Sequence, residues 1–197
     1  MAVRSLLALA AVCGLAGAAQ ASPVLTIGDP APPITAWKAF CAKNPAECQV
    51  DRSEAEVVAE TPELLDLLDA VNAHVNRTVT PITDKDRWGV VDRWDYPVDG
   101  KGDCEDIQLL KRRYLAEAGI PRRAMPITVV IDEAGEGHAV LTIRTDKSDL
   151  ILDNKTYAVK RWDETSYAFV KREAETPTGW GFVEELPDAP VVTAKGP

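Results

Sequence analysis

Gly102-Asp103-Cys104-Glu105-Asp106 opens the run that decides the fold, continuing through Ile107-Gln108-Leu109-Leu110-Lys111 to Ala118-Gly119-Ile120-Pro121. Asp103 is a capping residue type, Gly119 a terminator, and Pro121 cannot continue a helix. Between them Ile107, Leu110, Tyr114, Leu115 and Ala118 recur at helical spacing and predict one apolar face. Cys104 therefore falls at a helix N-terminus.

Downstream the pattern changes from helix to strand. Pro126–Ile131, His138–Arg144 and Leu150–Asp153 are short apolar runs rich in β-branched residues. Asp132-Glu133-Ala134-Gly135-Glu136-Gly137 reads as a hairpin turn, and Asp146–Asp149 as a second. Shorter runs near Ala158-Val159 and Tyr167–Val170 extend the same sheet. Upstream, Thr61-Pro62-Glu63 is a helix start, followed by Leu64, Leu67, Leu68, Val71 and Val75 at helical spacing. Ile34–Cys41 is a shorter helix candidate. Helices followed by an antiparallel sheet predict an α+β fold.

The chemistry-bearing residues follow from this order. The sequence has only two histidines. His74 falls beside the stripe of an amphipathic helix and is expected at the surface. His138 begins a strand, and Asp153 closes the next one. The start of one strand lies beside the end of its antiparallel neighbour, so His138 and Asp153 are expected at one sheet edge, facing the start of the Cys104 helix. A thiolate nucleophile, an imidazole base and an orienting carboxylate make a nucleophilic cysteine site. The helix N-terminus favours the thiolate. Asp103, Glu105 and Asp106 oppose it, because negative charge raises a thiol pKa. Either these acids point into water, or they hold a hard cation through oxygen; calcium suits such a set better than zinc. The twelve-residue spacing of an EF-hand is absent.

The chain has 197 residues and a formal charge of −9. Arg4, the apolar stretch Leu6–Ala18 and Ala19-Gln20-Ala21 read as a signal peptide over residues 1–21, cut after Ala21. Cutting 21 residues from 197 leaves 176, enough for one domain with a real core, and loss of Arg4 takes the charge to −10. The acidic balance argues against nucleic acid and anionic membrane surfaces. No second apolar stretch approaches membrane length. The domain is expected over residues 22–186, with a loose tail over 187–197. Three cysteines remain after cleavage. Cys41 and Cys48 flank the turn signal Asn44-Pro45, and a disulfide between them suits an oxidising compartment and leaves Cys104 free. Trp88 and Trp94 are candidates for a cleft wall or for core packing.

Trp88-Gly89-Val90-x-Asp92, the Gly102–Asp106 block, the Leu115–Pro121 helix end, His138-Ala139-Val140-Leu141 and Leu152-Asp153-Asn154 together resemble the bacterial transglutaminase-like cysteine proteinases, which include the LapG-type periplasmic proteases. Phe40-Cys41 and Glu47-Cys48 resemble the same family, and the likeness spans roughly residues 34–160. It implies a papain-like, transglutaminase-type core, with Cys104 as nucleophile, His138 as base and Asp153 as the residue orienting it. It implies calcium near Asp103, Glu105 and Asp106. It also implies a periplasmic protease acting on a protein substrate such as a large surface adhesin, with a role in biofilm release, restrained by an inner-membrane receptor that senses cyclic diguanylate. The chain departs from relatives at Ile107–Lys111 and at Ala139, both beside the expected triad. Two other functions use the same residues: acyl transfer to an amine, as a transglutaminase does, and a catalytically silent calcium- or peptide-binding module.

Overall fold

The computed structural model describes residues 24–184. The expected signal peptide (1–21) and tail (187–197) lie outside them. The chain runs β1 (Ile27–Pro30), α1 (Thr35–Lys43), α2 (Pro45–Cys48), α3 (Pro62–Thr78), β2 (Thr80–Pro81), α4 (Asp84–Trp88), β3 (Lys101–Gly102), α5 (Cys104–Glu117), β4 (Ile127–Ile131), β5 (Gly137–Arg144), β6 (Asp149–Leu152), β7 (Lys160–Arg161), β8 (Ala168–Glu173) and β9 (Trp180–Val183). Seven strands form one sheet in the order β1-β9-β8-β4-β5-β6-β7, every neighbouring pair antiparallel. β2 and β3 form a separate parallel pair. This is the expected mixture of helices and an antiparallel sheet, a transglutaminase-like fold.

The local signals act as anticipated. Thr61 caps α3, its hydroxyl accepting from the Leu64 amide at 3.2 Å. Gly119 takes φ +94°, the left-handed turn that stops α5, and the Ile120 amide closes on the Leu115 carbonyl at 3.0 Å. The β4–β5 hairpin turns at Gly135, φ +81°.

α5 departs from the simple picture. Ile107, Leu109 and Leu115 are buried, but so are Glu105, Asp106, Gln108, Lys111 and Arg112, while Ala118 is exposed. The helix is enclosed: β5 covers one side and α3 another. A helix covered on several sides has no single wet face, so apolar periodicity alone underestimates its burial. The core joins Phe40, Leu64, Leu68, Trp94, Leu109, Leu115, Met125, Ile127, Leu141, Ile143, Leu152 and Trp180. Trp94 meets Trp180 edge-on at 6.2 Å, so it packs the core. Trp88 is 45% exposed, between the guanidinium groups of Arg87 (4.5 Å) and Arg93 (4.4 Å). His74 lies on the exposed side of α3 against Tyr114.

Cys41 and Cys48 are disulfide-bonded, with Cα atoms 5.6 Å apart, and Cys104 is the free cysteine among the described residues. β1 and β9, not anticipated as strands, extend the sheet beyond β8. Their pairing encloses Trp180, whose side chain is fully buried. None of the described helices is long and apolar enough to cross a membrane.

Candidate active site

Cys104 is the first residue of α5. Gly102 is what lets the chain turn into it. A Cβ at Gly102 would meet the Asp106 Cβ at 2.7 Å, so any larger residue would push the first turn of α5 away. Asp103 occupies the N-cap position, but its side chain does not close on its own helix. Its Oδ2 accepts from the Asp84 amide at 3.0 Å, joining the start of α5 to the start of α4.

His138 and Asp153 meet as the strand register requires. β5 pairs with β6 through Leu141 opposite Leu152. Carried one step past the end of β6, this register brings Asp153 beside the start of β5, where His138 lies. His138 Nε2 lies 2.9 Å from Asp153 Oδ1, and both side chains are buried. Asp153 also accepts from the Lys155 amide (Oδ1, 3.0 Å) and the Tyr167 hydroxyl (Oδ2, 2.5 Å). The Tyr167 ring stands edge-on to the His138 ring at 5.8 Å. Burial pushes the Asp153 carboxyl up. The bonds from His138, Lys155 and Tyr167 overcome it and hold the group down at about 2. With Nε2 engaged by Asp153, Nδ1 is the ring nitrogen left for a proton donor.

The thiol reaches this pair through backbone. The amide of Ala139, the residue after His138, donates toward the Cys104 sulfur. The thiol itself donates to Glu105 Oε2 at 3.2 Å. Burial raises the thiol well above its ordinary value; the Glu105 and Asp103 charges push the same way, and only the Ala139 amide pulls it back. The conflict posed by the flanking acids is therefore physical.

Those acids form a second cluster. Asp84, Asp103 and Glu105 each bring a carboxylate oxygen within 4.8 Å of the others. Arg93 donates its amide to Asp84 Oδ2, wrapping the 89–93 loop onto the cluster. Burial and the Asp103 charge push Glu105 up to about 9 and also raise Asp84. Asp92 rises for the same two reasons and hydrogen-bonds toward Glu105 and Trp94. Asp103 Oδ1 is buried with no partner. Three crowded carboxylates, those of Asp84 and Glu105 buried, with one Asp103 oxygen unsatisfied, form a donor set that suits a hard divalent ion such as calcium. Asp106, expected among these ligands, turns elsewhere. Its Oδ1 accepts from the Asp95 amide at 2.7 Å, and its Oδ2 faces Arg87 at 3.9 Å. Burial raises it to about 8. Although it is three residues on from Asp103, its oxygens are committed to the Asp95 amide and to Arg87, so it stays outside the Asp84–Asp103–Glu105 cluster.

Asp84, Tyr167 and Asn76 were not singled out in the sequence. Asp84 sits 19 residues before Asp103 in a five-residue helix, with no local spacing to connect them. Asn76 donates to the Asp153 carbonyl at 2.8 Å from α3. Beyond the Asp103–Asp106 block, the sequence marked only Asp92 near this cluster, in the Trp88–Asp92 motif.

The profile of the bacterial transglutaminase-like cysteine proteinases (BTLCP) matches residues 27–186. The chain belongs to this family. The family is one of cysteine proteinases, so a peptidase acting on protein is the activity class of its members. Solved structures with the same fold include Legionella pneumophila LapG at TM-score 0.52 and 24% identity, covering 63% of this chain and 71% of that one. A calcium-bound form of LapG matches at TM-score 0.52 and 24% identity, covering 66% and 76%. An EGTA-treated form matches at TM-score 0.53 and 24% identity, covering 64% and 70%. No curated protein matches the chain.

Proposed function

We propose that this protein is a calcium-dependent cysteine endopeptidase working through Cys104, His138 and Asp153 after export to the periplasm. The observation that carries the proposal is the meeting of three elements. The thiol at the start of α5 lies against the Ala139 amide, and the residue before that amide is paired with Asp153 at 2.9 Å.

In this reading His138 Nδ1 takes the Cys104 proton, and the thiolate attacks a peptide carbonyl carbon. Backbone amides at the N-terminus of α5 stabilise the oxyanion. His138 then donates its proton to the leaving amine, and the C–N bond breaks. A water, deprotonated by His138, attacks the thioester and regenerates the thiol. Asp153 fixes the imidazole and balances its positive charge throughout.

Asp84, Asp103 and Glu105 would hold calcium. Bound calcium supplies positive charge that offsets these carboxylates beside the thiol. Glu105 is the group to which the thiol now donates, so occupying Glu105 with another partner leaves the thiol proton for His138. That a LapG of the same fold has been solved calcium-bound supports calcium as the ion. The substrate class that fits an exported member of the family is a protein at the cell surface, such as an adhesin, with an inner-membrane receptor as regulator. The apolar start of the chain, residues 1–21, supports export.

Alkylation of Cys104 by iodoacetamide across pH, with calcium and with chelator, tests the proposal. Modification well below the free-thiol pKa, dependent on calcium and lost in His138→Ala, is expected. An ordinary thiol titration in both conditions points instead to a silent binding module. Isopeptide products in place of new termini would reassign the acyl-enzyme to amine transfer.

A further inference from the structure

Behind the Cys–His–Asp arrangement lies a buried polar layer that the mechanism does not use. Cys104, Gln108 and Lys111 are spaced 4 and 3 along α5, so they share one helix face. Lys111 is fully buried, and its Nζ has no hydrogen-bond partner among the described residues. Gln108 Nε2 donates to Asn154 Oδ1 at 3.2 Å. From α3, Asn76 donates to the carbonyls of Asp153 (2.8 Å) and Thr156 (2.9 Å), and Asn72 to those of Thr156 (3.1 Å) and Tyr157 (3.0 Å). Three amide side chains from two helices thus hold the 153–157 turn. The acceptor oxygens of these same residues, Asn72 Oδ1, Asn76 Oδ1 and Gln108 Oε1, are buried and unpartnered, as is the Lys111 amine. A lysine buried without function is costly enough that an apolar residue of the same length normally replaces it.

We propose that Lys111 is a positioning residue for the reaction: a buried positive charge on the helix side of Asp153 that, with the Asn72–Asn76–Gln108 clamp, fixes the carboxylate orienting His138. The inference rests on the triad reading above. Burial pushes the Lys111 amine down to about 7, and the one charge pulling it back up is that of Asp153. The other charged groups on the packed elements do not compete. On α3, Asp66, Asp69 and Arg77 are exposed, and on β3 so is Lys101. On α5 itself Arg112 is engaged with Glu173 at 2.5 Å, and Glu105 faces the thiol. From β5 the facing titratable group is His138, bonded to the same Asp153.

The test is Lys111→Met in the full chain at saturating calcium. Loss of a nearby positive charge makes the thiol–imidazole pair hold its protons to higher pH. The iodoacetamide profile of Cys104 should move upward by about half a pH unit or more, about a threefold loss of rate on its acid limb. Thermal stability should hold or rise. Superimposable profiles, whatever the stability, would overturn the proposal. Should Lys111→Met not fold, [13Cε]lysine NMR gives the answer on folded protein: the Lys111 midpoint falls in Asp153→Asn relative to wild type if the two are coupled, and an unmoved midpoint overturns it. Failure of the protease reading shows differently, as a wild-type Cys104 that never reacts below its free-thiol range.

Discussion

Two carboxylate neighbourhoods flank the Cys104 thiol, and they are opposites. On the β5–β6 side, Asp153 is buried but receives the His138 ring, the Lys155 amide and the Tyr167 hydroxyl, and it stays ionised down to about 2. On the α4–α5 side, Asp84, Asp103 and Glu105 are crowded with few donors, and Glu105 rises to about 9. Burial is common to both; what differs is the supply of donors. One half of the site is complete in the protein alone. The other is held at a cost that a cation would relieve, and its unsatisfied state lowers thiol acidity.

The sharpest way to break this contrast is on the complete side. Asp153→Asn keeps shape and most hydrogen-bonding capacity but removes the charge that balances an imidazolium. Reactivity of Cys104 toward iodoacetamide, and peptide turnover once a substrate is in hand, should fall on the order of 10²- to 10⁴-fold. A loss under threefold would mean that His138 needs no anionic partner. Asp153 also predicts an acid limit. Its folded pKa lies below the unfolded value, so its stabilisation is full above about pH 4 and is lost as pH falls toward about 2. Thermal melts of wild type and Asp153→Asn should converge over that window.

The unfinished side predicts the reverse slope. A carboxyl raised in the folded state binds protons that the unfolded chain has released, so stability falls as pH rises between the two pKa values. For Glu105 and Asp106, at about 9 and about 8, the chelated protein should lose stability steadily from about pH 4.5 to 8. Calcium should flatten the slope for Glu105. At about 100-fold above its dissociation constant it adds about 2.7 kcal/mol, roughly 5–10 °C in Tm for a chain of this size. Identical melts with calcium and chelator would remove calcium from the reading.

How much of this was legible in the sequence follows the same division. Cys104, His138 and Asp153 each sit at the end of a regular element with its own periodic signal, and strand pairing fixes which ends meet. That part could be reasoned before any coordinates. The Cys41–Cys48 bond was accessible too, from the Asn44-Pro45 turn between them. The acid cluster was only half visible. Asp103 and Glu105 were marked by adjacency to the thiol, but adjacency also drew in Asp106, whose oxygens are taken by the Asp95 amide and Arg87. Asp84 was invisible, because a five-residue helix and a loop bring it in across 19 positions. Strands β1 and β9 were hidden for a related reason: four-residue strands carry too little alternation to stand out, and only their pairing with each other and with β8 defines them.

The assignment of ligands can be tested within the cluster. Asp84→Asn should weaken calcium binding about 10- to 100-fold by calorimetry. Asp106→Asn should leave it within about threefold, because its oxygens are spent on the Asp95 amide and Arg87. Equal losses from both substitutions would place the ion on the other side of α5.

The smallest expected effect probes how far the complete side depends on its outermost donor. Tyr167→Phe removes the hydroxyl bonded to Asp153 Oδ2 at 2.5 Å but keeps the ring that stands against His138. A hydrogen bond to a charged acceptor is worth about 1.5–3 kcal/mol, but Oδ1 keeps both of its donors, so the imidazole stays oriented. The acid limit set by Asp153 should move upward, toward that of a carboxyl with two donors rather than three, while Cys104 reactivity at neutral pH falls only about three- to tenfold. A Tyr167→Phe protein as impaired as Asp153→Asn would show that the hydroxyl, and not the carboxylate alone, holds the imidazole in place.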